Sequence, residues 1–277
     1  MGINSIIRRS LTSAFLLGAA LAAPVSAASV FFDLTTPGGF TAGTDGFGNY
    51  LEFTASDSVT KARVTGWSAH DLGGGILDIH RSTVRDYIDG IGVIAPTSAG
   101  FPGDTLGTAV VGNQHSIDNI NTVDFIVFQF NTDLAPESVK LWPFISVPAP
   151  GQRGRDADAI FGYGDSASAW NSYTDYGSTA TLASLFGGDY ELINNADQPD
   201  GRTFNPVIDL LSPGSNGSLF LVGASPTNSD GNFDGFKVSH LTLGAAVPEP
   251  ATWGMMLVGF GIVGAGMRSR RRSVVLA

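Results

Sequence analysis

Apolar and polar positions along this chain fall into short runs, and no stretch sustains the three-to-four-residue spacing of an amphipathic helix. The runs predict strands at Val30–Leu34, Tyr50–Thr54, Ala62–Trp67, Ile76–His80, Val123–Phe130, Val139–Ile145, Ala159–Tyr163, Phe204–Leu210, Ser218–Val222 and Phe236–Leu243. Gly, Pro, Asn or Asp turn signals bound most of them. Val123–Phe130 is apolar almost throughout, which suits a central strand buried on both faces. Phe236–Leu243 alternates apolar with polar, which suits a strand exposed on one face. Thr179–Phe186 is a candidate for one short helix. Many short strands joined by Gly-rich turns predict an all-β fold, a jelly-roll-like β-sandwich. The absence of a fixed-period repeat argues against a solenoid or β-helix.

Two apolar segments at the ends follow neither pattern. Leu11–Ala23 comes after Arg8 and Arg9 and leads into Val25-Ser26-Ala27, a small-x-small site that places signal cleavage between Ala27 and Ala28. The general secretory route fits better than the twin-arginine route, because the residues around Arg8-Arg9 match the twin-arginine pattern poorly. At the other end, Ala251–Met267 runs 17 residues without a charge. As a helix it spans about 25 Å, slightly under a hydrocarbon core of about 30 Å. Arg268, Arg270, Arg271 and Arg272 follow and stay cytoplasmic by the positive-inside rule, which puts everything before Trp253 outside the inner membrane. Trp253 falls at the outer interface, where an amphipathic ring is favoured. Just upstream, the prolines of Val247-Pro248-Glu249-Pro250 block helix and hold an extended, exposed segment that a processing enzyme can grip. The chain therefore divides into a signal peptide (1–27), an ectodomain (28–245) and a tail (246–272), the tail comprising a transmembrane helix (251–267) and a basic end (268–272).

The run from Val247 to Gly261, Val-Pro-Glu-Pro-Ala-Thr-Trp-Gly-Met-Met-Leu-Val-Gly-Phe-Gly, with its arginine cluster, resembles the PEP-CTERM sorting signal of Gram-negative bacteria. That motif is also labelled ice-binding protein C-terminal domain. The resemblance implies recognition by exosortase, a membrane transpeptidase, after passage through the secretion translocon and signal peptidase. It further implies removal of the helix and basic end, and delivery to the cell surface or extracellular matrix, often with exopolysaccharide genes nearby. On this reading Val247, Pro248, Glu249, Pro250, Trp253 and the four arginines are recognition residues of a substrate. More weakly, Gly48–Phe53, Asn113–Asn119 with Asp124-Phe125-Ile126, Asp156-Ala157-Asp158 and Asp234–Val238 are similar to ectodomains that carry such a tail. That likeness supplies no activity.

Charge sharpens the division. Setting aside Arg8, Arg9 and the four arginines of the tail leaves nine basic residues against 25 acidic ones, so residues 28–250 carry about −16. Phosphate backbones demand the opposite sign, which excludes nucleic acid as a partner. Cysteine is absent, so an exported domain holds itself together by its core without a disulfide.

Candidate chemistry in the ectodomain is sparse. Asp156 with Asp158, and Asp230 with Asn232 and Asp234, offer the oxygen ligands that calcium takes. The competing reading is that these residues cap turns through their side chains. Trp170, Tyr173 and Tyr176 form a polar aromatic cluster suited to stacking on sugar rings, with ordinary packing as the alternative. His115 and Asp118 could pair for acid–base work, but equally belong in a polar loop. Gly164-Asp165-Ser166 is similar to the nucleophile block of GDSL-type hydrolases, yet it sits mid-chain and no Asp-x-x-His follows, which favours a turn. The expectation is a non-enzymatic surface protein with a structural or adhesive role beside exopolysaccharide. The alternatives are a lectin-like, calcium-assisted module and a secreted hydrolase.

Overall fold

The structure, a computed structural model, describes residues 29–46, 48–72, 77–98, 101–102, 115–143, 157–166, 190–195, 207–210, 216–226, 233–245, 256–264 and 268. The strands are β1 (Ser29–Asp33), β2 (Phe40–Thr44), β3 (Asn49–Thr54), β4 (Lys61–Asp71), β5 (Leu77–Tyr87), β6 (Gly90–Ile94), β7 (Thr97–Ser98) and β8 (Phe101–Pro102). They continue with β9 (Ile117–Asp118), β10 (Val123–Pro143), β11 (Ala159–Gly164), β12 (Tyr190–Asn195), β13 (Val207–Asp209), β14 (Gly217–Ala224) and β15 (Gly235–Ala245). The all-β class expected from the runs is what these residues form. The short helix expected at Thr179–Phe186 lies outside the described residues.

One strand, β10, organises both layers of the fold. Its first half lies between β4 and β14, with Phe128 opposite Val64 on one side and Phe220 on the other. Its second half lies between β15 and β13, with Val139 opposite Leu241 and Ile208. The turn residues from Asn131 to Pro136 predict two separate strands, and the structure corrects this to a single bent one of 21 residues. Asn131 clamps the bend, its Oδ1 accepting from the Lys61 amide at 2.9 Å and its Nδ2 donating to the Val59 carbonyl at 3.2 Å. Pro136, which has no N–H to donate, sits at a register break where a ladder bond is missing anyway.

The first layer runs β12-β11-β14-β10-β4-β3-β2, with β5 alongside the end of β4. The second sets β13, the far half of β10, β15 and β1 side by side. β5 continues into β6, which meets β15 at Ile91 opposite Val238, so the layers are joined there too. Alternation fills the space between them. Ala62, Val64, Ile126, Phe128, Phe220, Val222 and Phe161 of the first layer share one buried cluster with Phe32, Val139, Leu141, Leu241 and Leu243 of the second. The opposite face of the first layer carries a second buried cluster of Trp67, Phe125, Val127, Ile160, Leu219 and Leu221. Val123–Phe130 is thus buried on both faces, as its near-continuous apolarity predicts.

β15 departs from the expected half-exposed strand. His240 and Thr242 are partly exposed, but Lys237 and Ser239 are buried. Lys237 lays its ammonium over the Tyr87 ring at 4.0 Å and reaches Asp89 at 3.8 Å. Burial lowers its pKa, with Asp89 opposing that shift. Ser239 and His240 are two polar residues in succession, and the ladder slips there: Lys140 faces His240 while Leu141 faces Val238. The bulge turns both Val238 and Leu241 to the core and leaves Ser239 Oγ to donate to the Lys140 carbonyl at 2.9 Å.

The short strand β6 was invisible to propensity for a steric reason. A Cβ at Gly90, whose φ is +122°, would collide with the Val238 carbonyl, and one at Gly92 with the His115 carbonyl. Glycine is required for this close approach, and glycine carries no strand signal.

Candidate functional site

The tail presents an apolar surface. Residues 256–264 form a helix, and Met256, Leu257, Val258, Phe260, Ile262 and Val263 are all exposed along it. A Cβ placed at Gly259, Gly261 or Gly264 would meet nothing within 4 Å. A contiguous exposed patch of this kind marks a membrane or protein contact. Among the described residues no helix is long and apolar enough to cross a membrane. Arg268 is helical and exposed. Val247, Pro248, Glu249, Pro250, Trp253, Arg270, Arg271 and Arg272 lie outside the described residues, as do Ala27 and Ala28.

Within the ectodomain, two of the aspartates proposed as calcium ligands meet. Asp158, from the loop before β11, and Asp234, from the loop before β15, are both buried. Asp234 Oδ1 accepts from the Asp158 amide at 3.0 Å, and Oδ2 accepts from Asn119 Nδ2 at 2.6 Å. Asn119 returns the bond through Oδ1 to the Asp234 amide at 3.0 Å and also donates to the Ser225 carbonyl. The Ser225 amide in turn donates to the Asp158 carbonyl at 3.0 Å. Both carboxyl oxygens of Asp234 therefore accept hydrogen bonds that tie three loops together. Among the described residues no group of three or more His, Asp or Glu side chains is placed to hold a metal ion. Asp156, Asp230 and Asn232 lie outside the described residues, as do Trp170, Tyr173 and Tyr176.

The remaining candidates also have structural partners. Asp118 accepts from Ser116 Oγ and the Ile120 amide, while the His115 ring stacks on Tyr87 at 5.2 Å. Ser166 Oγ accepts from Gln129 Nε2 at 3.1 Å, and the Ser166 amide donates to Ser218 Oγ.

A further surface is the outer face of the second layer. Register sets Phe31, Thr242, Ser138 and Asp209 in one row across β1, β15, β10 and β13. The next row is Asp33, His240, Lys140 and Val207. Between them opens a groove of about 260 Å³ lined by Phe31, Ser138, Lys140, Val207, His240 and Thr242. Phe31 is 40 % exposed and Val207 59 %. The His240 ring stacks on Phe31 at 5.2 Å, with its Nε2 at 3.9 Å from Asp33 Oδ1. The only sequence signal for this face is the polar phase of β1, β10 and β15, which any solvated sheet shares.

The groove's titrating groups are shifted in opposite senses relative to their charge. Hydrogen bonding from Thr35, against partial burial, holds the Asp33 carboxyl below its usual range, and Thr36 adds to this. His240 is lowered below the ordinary histidine value by burial and by the Lys140 ammonium, with Asp33 pulling the other way. A lowered histidine favours the neutral ring in the folded state. Its contribution to stability is full above the unfolded value of about 6.5 and is lost as pH falls through the folded value. Titration of the His240 ring by NMR is expected to give a midpoint below about 6.5. Lys140→Met should raise that midpoint, and Asp33→Asn should lower it further. A wild-type midpoint at or above 6.5 would contradict this electrostatic account of the groove.

No curated protein and no solved structure matches the chain. Residues 246–272 match the model of the PEP-CTERM protein-sorting motif. The chain therefore carries a PEP-CTERM sorting signal behind an acidic all-β domain, and it is an exosortase-targeted exported or surface protein.

Proposed function

We propose that the chain is a non-enzymatic structural or adhesive component of an exopolysaccharide-rich cell surface or biofilm, delivered as a temporarily anchored precursor. The observation that carries this reading is the sorting motif at 246–272 attached to an acidic, disulfide-free β-sandwich. Residues 1–27 direct secretion and are removed between Ala27 and Ala28. Residues 251–267 then hold the precursor in the inner membrane with the arginines inside. Exosortase grips Val247-Pro248-Glu249-Pro250 and separates the ectodomain from the helix. The exposed apolar side chains along 256–264 support an anchoring role, because burying them in lipid removes them from water. The excess negative charge keeps the delivered domain soluble and discourages self-association.

A second reading, binding of carbohydrate by the ectodomain, is favoured by the aromatic and polar groove on the second layer. The secreted-hydrolase alternative draws no support from Ser166, whose hydroxyl is tied to Gln129. The test of the delivery route is fractionation of producing cells with and without exosortase. The processed ectodomain is expected in the surface fraction of the first and a full-length precursor in the inner membrane of the second. Equal surface delivery in both would overturn the reading.

A further inference from the structure

We propose that the outer face of the second layer is a saccharide-binding site that takes a neutral pyranose ring in the groove between β1, β15, β10 and β13. This deepens the exopolysaccharide reading above and rests on it for the source of the glycan. Four observations converge on one small area. First, Phe31 keeps 40 % of its surface exposed although its strand neighbours Val30 and Phe32 are buried in the core. His240 stacked against it at 5.2 Å fixes the plane of the ring. A fixed, exposed aromatic ring is what the apolar C–H face of a pyranose stacks on, since its amphipathic neighbourhood serves both faces of a sugar. Second, Val207 closes the far end of the groove as a second exposed apolar side chain.

Third, the floor between these apolar ends is made of hydrogen-bonding side chains. Ser138 and Thr242 are cross-strand partners with hydroxyls that both donate and accept. Lys140 makes no ion pair among the described residues, and its ammonium is left to donate to ring oxygens and hydroxyls. Fourth, the volume of about 260 Å³ lies just under the usual range of about 300–1,000 Å³ for ligand clefts, a size for one or two sugar rings on a passing chain.

Charge decides which sugars. The two rows that flank the groove carry Asp33 and Asp209, and Glu137 lies nearby, accepting from Ser29 Oγ on β1, against the ammonium of Lys140 among the described lining residues. Asp33 is held ionised by its hydrogen bonds from Thr35 and Thr36. A uronate would meet this acidic rim and the strongly acidic ectodomain around it, whereas a neutral ring gains hydroxyl contacts without that repulsion. The surroundings therefore favour neutral over anionic polysaccharide.

The experiment is affinity electrophoresis of the protein purified from its producing cells, in gels containing dextran, galactomannan, laminarin or alginate. At least one neutral polymer is expected to retard the wild-type protein more strongly than alginate does. Phe31→Ala, whose side chain is outside the core, should lose at least about tenfold in affinity, the scale of an aromatic hot spot. Lys140→Met should lose several-fold, and Lys61→Met, outside the groove, should change nothing. Unchanged thermal melting of Phe31→Ala would place that loss in the groove. No retardation by any neutral polymer, stronger binding of alginate, or equal binding by Phe31→Ala and wild type would each overturn the proposal. Surface fractionation of the same variants separates this from the delivery reading, because Phe31→Ala should reach the surface normally even when glycan binding is lost.

Discussion

Changing Pro248, Glu249 and Pro250 together to alanine is expected to leave the full-length precursor in the inner membrane and to empty the surface fraction. The effect should be close to all-or-none. Proline, present at 248 and 250, disfavours helix, and alanine is the strongest helix former. On the proposed anchoring, the substitution lets helix run back through 248–250 and removes the helix-blocking residues that a processing enzyme is expected to grip. It also removes the one acidic side chain between Val247 and Ala277. Fractionation and immunodetection of precursor and processed forms measure the result. Removing the arginines of the tail would address a different step, the orientation and retention proposed for them. If the triple-alanine chain reached the surface at the same mass as wild type, the motif would not be the address.

The second large effect is on stability. Phe128→Ala is expected to cost about 3–5 kcal/mol, a large part of the roughly 5–15 kcal/mol that holds a domain folded. Phe128 is fully buried in the half of β10 that both β4 and β14 flank. Its ring lies 6.2 Å from Phe130 and 6.2 Å from Phe220, and Phe220 stacks on Phe161 at 6.3 Å. Truncation opens a cavity among aromatic rings on flanked strands, which cannot move in to fill it. With no cysteine in the chain, no disulfide adds to the stability from which that loss is taken. Urea unfolding of the ectodomain measures the change. A cost below about 1 kcal/mol would mean that the two layers do not share this core.

Strands were legible in the sequence where burial is complete, and the details obscure where backbone geometry decides. Val123–Phe130 announces a doubly buried strand because nearly every residue is apolar. The bend that joins it to Val139 is invisible, since Asn131, Asp133 and Pro136 signal a turn whether the chain reverses or crosses between layers. β6 escaped because the glycines that let it approach β15 are the residues that suppress a strand signal. The candidate sites divide in the same way. The sorting tail is a contiguous string and can be read directly. Asp158 and Asp234 stand out as isolated loop aspartates, but that they meet through a backbone amide and Asn119 is a tertiary fact with no local signature. The groove needs Phe31, Ser138, Lys140, Val207 and His240 brought together from four strands. Only the register of those strands, set by the bulge at Ser239, aligns them into rows.

The most direct test of delivery by a temporary anchor is the intact mass of the protein recovered from the cell surface. The account predicts a chain that begins at Ala28 and has lost the helix and arginines beyond the Pro-Glu-Pro segment, with or without a group joined at the new end. A surface form that retains residues 251–277 would contradict it.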